Sequence, residues 1–458
     1  MGGRFGRRAA AEFAFRFGNA GPRAAPAPAQ PLRPRLPLCS QRDVRMRYGT
    51  MTLPMALRPA PCPAPAAACL TDDESWAALA GPAQLPLPGT EVWMSWWWLR
   101  SWWEAYGARR QLRVLALHAS PPLLCPLFCE RRRGLRRLAF LGSDCRRHRL
   151  PHPGSDFAVC AQRWAELLAA RRDWDVFDLR ALPQAQAAAW IAALRALRLP
   201  LGPAHAWRQW YVALDRPWPQ VEADFRPGLL SNLAKRDRAL RRLGPLEFRL
   251  VEDAAGLAAV FDECLAIEAS GWKGAGGTAL ACDPRGREFY RNVTRRAAAQ
   301  GALWLALLYS GPTLIAFQLY LRSGDTLSGL RIGHRHDWRR HAPGMVLQRL
   351  VLERAHQLGF AEMDFSGGDE PFKSDWSASA RTLVDVCAFH RTLRGCLAWR
   401  ASQFRRRLKP PAAAVPPPPP PAAAAVPSPA GSPSRPPAAS RSPQTARSPK
   451  TPSPATAG

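Results

Sequence analysis

TLSGLRIGHRHDWRRHAPGMVLQRLVLERAHQLGFAEMDF, residues 326–365, decides the fold. Thr326–Ile332 reads as a strand, and Pro343–Leu358 as a helix whose apolar stripe is Leu347, Leu350, Val351, Ala355 and Leu358. Pro343 stands at the first helical position, where a missing N–H costs nothing, and Gly359 stands just past the end. Phe360–Phe365 follows at once as a second strand. Strand, helix and strand in this order predict a right-handed parallel crossover, the building unit of an α/β sheet.

Upstream of this unit, residues 302–321 are almost wholly apolar but broken at the midpoint by Ser310-Gly311-Pro312. Two short apolar runs about a Gly-Pro turn predict a β-hairpin; a membrane-spanning helix needs about 20 unbroken apolar residues. Helices are expected near 228–243, 254–269 and 284–300, with a Gly-rich loop at 271–277. An earlier unit, 71–215, repeats the rhythm. It opens on a capping signature at Thr71-Asp-Asp-Glu and holds a tryptophan cluster at 93–103. Strands are expected at Leu112–His118, Leu123–Cys129, Leu138–Leu141, Trp174–Leu179 and Trp210–Leu214, and helices at Trp164–Ala170 and Pro183–Leu197. The spacing of Trp93, Trp96, Trp97, Trp98, Trp102 and Trp103 predicts a helix that turns an aromatic face into a core. Pro217 and Pro219 mark the joint, and the second unit runs over 216–408.

The ends of the 458-residue chain differ from this middle. Residues 1–70 are basic and rich in Pro and Ala, and residues 409–458 contain no acidic residue. Neither has an apolar pattern to offset ordering entropy, so both read as disordered. The leader has a transit-peptide composition; the preferred reading is a plain leader, or a start at Met46, Met51 or Met55. The formal charge of +29 invites a nucleic-acid reading, yet of 64 basic residues only five are Lys, and the Arg residues lie in scattered short runs. Arg enrichment with Ala, Pro and Gly is what a GC-rich coding sequence gives, so nucleic acid is not the expected main partner. Eleven Cys without a CxxC pair read as free thiols in a reducing compartment, and the expected location is cytoplasmic. His334, His336 and His341 have no acidic or Cys partner at metal spacing, so no metal is expected.

Three phrases carry a family resemblance: Glu268-Ala-Ser-Gly-Trp272-Lys273-Gly-x-x-Gly-Thr278, Ala342-Pro343-Gly344-x-x-Leu347, and Asp364-Phe365-Ser-Gly-Gly368-x-Glu370-x-Phe372-Lys373-x-x-Trp376. In this order they resemble the CelD-like acyltransferases of the GNAT superfamily, a branch associated with cellulose and exopolysaccharide synthesis and similar to the FemAB transferases. The resemblance covers roughly 85–405. It implies an α/β fold of tandem GNAT-like (acyl-CoA N-acyltransferase) domains, a mixed sheet flanked by helices. The first half is then degenerate, for it lacks the Pro-Gly helix start and the Lys-Trp phrase. The implied activity moves an acyl group from a thioester donor, acyl-CoA, to an amine or hydroxyl of a sugar or other envelope or exopolysaccharide precursor. Aminoacyl-tRNA, the donor of FemAB enzymes, is the alternative, and a non-catalytic binding protein on the same scaffold is the rival of another class.

The chemistry needs a phosphate seat, a polarised carbonyl and a base. The start of helix 343–358, at the positive end of its dipole, is the expected seat, with Arg340, Pro343, Gly344 and Met345 as donor-binding residues. The family's usual loop is Q/R-x-x-G-x-G/A; here it reads Arg340-His-Ala-Pro-Gly344-Met, without the second glycine. In a chain so short of Lys, Lys373 between Phe372 and Trp376 points to a need for a compact ammonium, and by resemblance it stabilises a developing oxyanion or phosphate. Asp364 and Glu268 are the candidate bases, and either can instead be a turn cap or a solvated helix residue. Trp272, Lys273, Arg331, Gly367 and Trp376 are the expected substrate contacts. The family's usual Tyr acid is absent, since no Tyr follows Tyr320.

Overall fold

Palindromic strand order organises the fold. The computed structural model describes residues 67–70, 92–117, 123–142, 157–271 and 279–408. The first half contributes β1 (Ala67–Leu70), β2 (Arg110–Leu117), β3 (Leu123–Arg132), β4 (Leu135–Phe140), β5 (Val176–Pro183) and β6 (His205–Ala213). The second contributes β7 (Leu246–Val251), β8 (Leu303–Ser310), β9 (Thr313–Ser323), β10 (Thr326–His334), β11 (Glu362–Asp364) and β12 (Ala380–Phe389). They form one sheet in the order β1-β2-β3-β4-β5-β12-β6-β11-β10-β9-β8-β7. Read outward from the centre, each strand of one arm has its counterpart in the other. The last strand of each half is lent across: β12 lies against β5, and β6 lies against β11. The two lent strands pair antiparallel with each other, from Ala380↔Trp210 to Asp385↔His205. Proline marks the joint in sequence, yet the two halves are interlocked in space.

The helices are α1 (Trp96–Tyr106), α2 (Phe157–Ala170), α3 (Gln184–Ala196), α4 (Trp218–Ala223), α5 (Leu229–Arg241), α6 (Ala254–Ala269), α7 (Pro284–Ala299), α8 (Pro343–Gln357) and α9 (Leu393–Leu408). The expected crossover is present: β10 and β11 are parallel through α8. Its counterpart, β4 to β5 through α2, is parallel as well. Of the predicted stripe on α8, Leu347, Val351 and Ala355 are fully buried, whereas Leu358 is 48% exposed. Gly359 ends the helix at φ 76, a left-handed backbone that a side chain disfavours.

Three apolar clusters hold the layers. α2 and α3 cover one face of the first half, and α5 and α8 cover the like face of the second. The third cluster lies on the opposite face and takes residues from both halves around α1 and α7. The tryptophan helix sits there: Trp93 and Trp98 are 0% exposed, and Trp98 meets Phe289 of α7 edge to face at 5.0 Å. The hairpin 302–321 is β8 and β9, with all eight residues of β8 buried. Its alternate side chains enter two clusters, Leu303, Leu305 and Leu307 on one face and Trp304, Ala306 and Leu308 on the other. Among the described residues no helix is long and apolar enough to cross a membrane.

Two boundaries shift. Residues 67–70, expected within the leader, pair with β2 as an edge strand. The strand expected at Phe360–Phe365 keeps ladder pairing only over Glu362–Asp364, because the chain then turns away through Ser366 and Gly367 at positive φ. The capping signature at Thr71, most of the Gly-rich loop, the rest of the leader and the tail from 409 lie outside the described residues.

Candidate active site

The end of the β10–β11 pairing creates an opening in the sheet. Thr326, Leu327 and Ser328 of β10 face Glu362, Met363 and Asp364, and there the parallel ladder stops. β10 runs on to His334 with a bulge between Gly329 and Arg331. At Gly329 a Cβ would lie 3.2 Å from the Phe365 carbonyl oxygen and 3.3 Å from that of Asp364, so any side chain there would crowd the two carbonyls where the strands part. Beyond it the parallel pairing with β11 does not continue.

On the other side of the opening lies the loop after β11. Asp364 is 0% exposed, and its Oδ1 accepts a hydrogen bond from the Ser366 N–H at 2.6 Å. Lys373 is 4% exposed and reaches back under the loop. Its Nζ donates to the carbonyl oxygens of Ser366 and of Gly368, the latter at 2.8 Å, and pairs with the Glu370 carboxylate. Three N–H groups thus meet three acceptors within the segment 366–370. Gly367, at φ 66, passes over this ammonium, and a Cβ there would sit 3.3 Å from Nζ. Trp376 is 1% exposed and packs edge to face on Phe225 at 5.4 Å, so its ring is in the core beside α8.

Glu268 and Arg331, chosen separately from the sequence, come together. Arg331 Nε is 2.6 Å from Glu268 Oε1, and the Leu280 N–H donates to Oε2 at 3.1 Å. The Arg331 guanidinium also lies over the Tyr290 ring, 5.2 Å from its centroid. The Glu268 side chain is 1% exposed, so its contact with Arg331 lies in the interior. Trp272 and Lys273 lie outside the described residues.

The start of α8 is uncapped. Ala342 precedes it in a left-handed conformation, φ 44 and ψ 65, and no side chain caps the first turn. Gln318 of β9 donates from Nε2 to the Gly344 carbonyl at 2.7 Å, and the buried Tyr320 hydroxyl donates to Gln318 Oε1 at 2.7 Å. Burial pushes the Tyr320 phenol well up, so it remains a donor at all ordinary pH. Met345, in the place of the family's second glycine, is 8% exposed and turns its side chain into the core, not over the N–H groups. Arg339 and Arg340 are exposed just before the helix. Arg340 Nε donates to His341 Nε2 at 3.0 Å. Burial first, and the Arg340 charge second, hold His341 below its usual pKa, which keeps that nitrogen an acceptor.

Sequence reasoning missed a further group on the exchanged strands. Tyr211 faces Asp364 in register, and the Arg381 guanidinium lies over the Tyr211 ring at 4.0 Å while pairing with Glu362 at 2.5 Å. Gln209, in register with Arg381, is 0% exposed, and neither its Nε2 nor its Oε1 finds a partner among the described residues. The alternation of β6 was the available signal, but its neighbours come from β11 and β12, far away in sequence. Among the described residues no cluster of three or more His, Cys, Asp or Glu could hold a metal ion.

Comparison with known proteins adds the following. No curated protein matches the chain. Among solved structures, FemX is 11% identical with a TM-score of 0.48, over 74% of this chain and 100% of its own. The C-terminal domain of a putative lysylphosphatidylglycerol synthetase from Agrobacterium fabrum is 11% identical with a TM-score of 0.43, over 68% of this chain and 96% of its own. A tandem GNAT protein from the clavulanic acid biosynthesis pathway is 14% identical with a TM-score of 0.38, over 70% of this chain and 98% of its own. Residues 228–374, which span α5 through the Lys373 loop, match the family model described as an acetyltransferase (GNAT) domain. The second half of the chain therefore carries a GNAT-type acetyltransferase domain, and the protein is an acyltransferase.

Proposed function

We propose that the opening between β10 and β11 takes acyl-CoA and that the chain passes the acyl group to an amine or hydroxyl of a cell-envelope or exopolysaccharide precursor in the cytoplasm. The observation that carries this reading is the uncapped start of α8, with Arg339 and Arg340 exposed just before it. Acyl-CoA, when bound, supplies the activated thioester. The N–H groups of the first turn, Gly344 and Met345 among them, receive its phosphates, and Arg339 and Arg340 add positive charge at the same end. Because the Met345 side chain is held in the core, the missing second glycine does not fill the seat.

Asp364, buried where the strands part, anchors the acceptor nucleophile and takes its proton. Lys373 holds the 366–370 loop in place and so acts as a positioning residue, with its charge directed at that loop. Glu268 fixes Arg331 beside the β10 bulge, and Tyr211, Arg381 and Gln209 form the acceptor side. A second reading, with aminoacyl-tRNA as donor, is supported by the exposed Arg339 and Arg340 before α8. Thiol release from acyl-CoA, followed with a panel of amino-sugar and amine acceptors, tests the first reading. Gly344→Glu is expected to abolish it by bulk and like-charge repulsion. Thiol release that survives Gly344→Glu contradicts the assignment of the seat.

A further inference from the structure

The C-terminal helix α9 buries only one side of itself. Trp399 Nε1 donates to the Leu201 carbonyl at 3.0 Å, and Gly395 lies so close to His390 that a Cβ there would overlap its carbonyl oxygen. The opposite side carries large apolar residues in the open: Leu393 is 77% exposed, Leu397 55% and Phe404 63%. At about 100° per residue these three fall within roughly 40° of one another around the helix axis. Arg400 and Arg407 flank them on one side, and Arg394 and Arg405 on the other. No acidic residue follows Asp385 in the sequence.

We propose that α9 lies in the headgroup region of an anionic membrane, with Leu393, Leu397 and Phe404 inserted and the flanking arginines paired with lipid phosphates. A narrow apolar stripe bordered by arginine on both sides suits that interface: the apolar side chains leave water while the guanidinium groups reach back to the phosphates. At 16 residues the helix is too short to span the bilayer core, so it lies in the surface plane. An RNA backbone would satisfy the arginines but leave the three apolar side chains in water, and this is why the lipid surface is favoured. The proposal stands apart from the acyl-transfer reading, since α9 contributes no residue to the site described above.

Flotation of the full chain with vesicles of phosphatidylcholine alone, or mixed with phosphatidylglycerol, tests it. Binding is expected only to the mixed vesicles and falls as salt is raised. The triple change Leu393→Ser, Leu397→Ser, Phe404→Ser is expected to weaken partitioning by more than about tenfold, through loss of inserted apolar surface. Arg400→Gln and Arg407→Gln should each weaken it about fivefold. Leu243→Ser, an equally exposed apolar position elsewhere at 52%, should change nothing. All these side chains are exposed, so melting curves should stay put. Full vesicle binding by the triple serine variant, or an equal loss in Leu243→Ser, overturns the proposal. So does triple-variant loss of binding to tRNA equal to its loss of binding to vesicles.

Discussion

Replacing Lys373 by Met removes an ammonium from beneath the 366–370 loop and keeps most of the stem. The carbonyl of Ser366, a residue 1% exposed, loses its charged donor and is left without a replacement. Gly368 is half-buried, so water can reach its carbonyl, and the Glu370 side chain, 52% exposed, rehydrates readily. The main cost is therefore one charge-assisted hydrogen bond and one orphaned buried acceptor. It is partly offset because Met is cheaper to bury, which leaves a net destabilisation of about 2–3 kcal/mol. Urea unfolding at neutral pH should show a lower midpoint with an unchanged slope. Lys373→Arg should fail to rescue, because Gly367 passes too close for a planar guanidinium. Turnover should fall with both variants, and most of the loss should return in a stabilising osmolyte, as expected when a loop is loosened. A wild-type midpoint combined with a hundredfold loss of turnover refutes the reasoning. The ammonium would then act on the reacting atoms and not on its loop.

Other outcomes follow from the fold. Trp98→Ala, at the centre of the shared aromatic cluster, should cost about 3–5 kcal/mol, and calorimetry should show both halves unfolding in one transition because of the strand exchange. Two separate transitions would contradict it. Burial works to raise the Asp175 carboxyl, but hydrogen bonds from the Arg136 side chain and backbone overrule it and hold the pKa below the usual value. Stability from this pair is therefore present above about pH 4 and lost as pH falls through the folded pKa. Asp175→Asn should shrink that acid loss in melting curves taken across the range, and an unchanged acid limb counts against it. A chain trimmed to 67–408 should melt higher than one trimmed to 71–408, by about 1–2 kcal/mol for the hydrogen bonds of β1. Identical curves would make β1 a passive edge.

The crossover from β10 through α8 to β11 was legible because its signals are local: a proline at the start, a glycine at the end and an apolar period between them. β7, β12 and α9 went unread. The run Leu383-Val-x-Val-x-Ala-Phe has a strand's composition, but nothing nearby says that β12 crosses to the first half and lies against β5. For the same reason Gln209, Tyr211 and Arg381 were missed, since strand exchange alone sets Tyr211 opposite Asp364 and Gln209 opposite Arg381. Glu268 and Arg331 were both marked, yet their pairing depends on where α6 lands on the sheet. The scarcity of lysine singled out Lys373, which lies buried beneath the 366–370 loop. That its acceptors are its own loop's oxygens is a matter of backbone geometry, which composition does not carry.

The central claim is that the start of α8 seats a phosphate-bearing acyl donor. Isothermal titration of the full chain with coenzyme A and acetyl-CoA tests it most directly, with Arg340→Glu measured alongside. Arg340 is exposed, so the variant should keep its melting curve. The account predicts one saturable site on the wild type. Binding to the variant should be weaker by about tenfold, as expected when one cation near the phosphates becomes an anion. Absence of binding at millimolar coenzyme A, or equal affinity in wild type and Arg340→Glu, would contradict it.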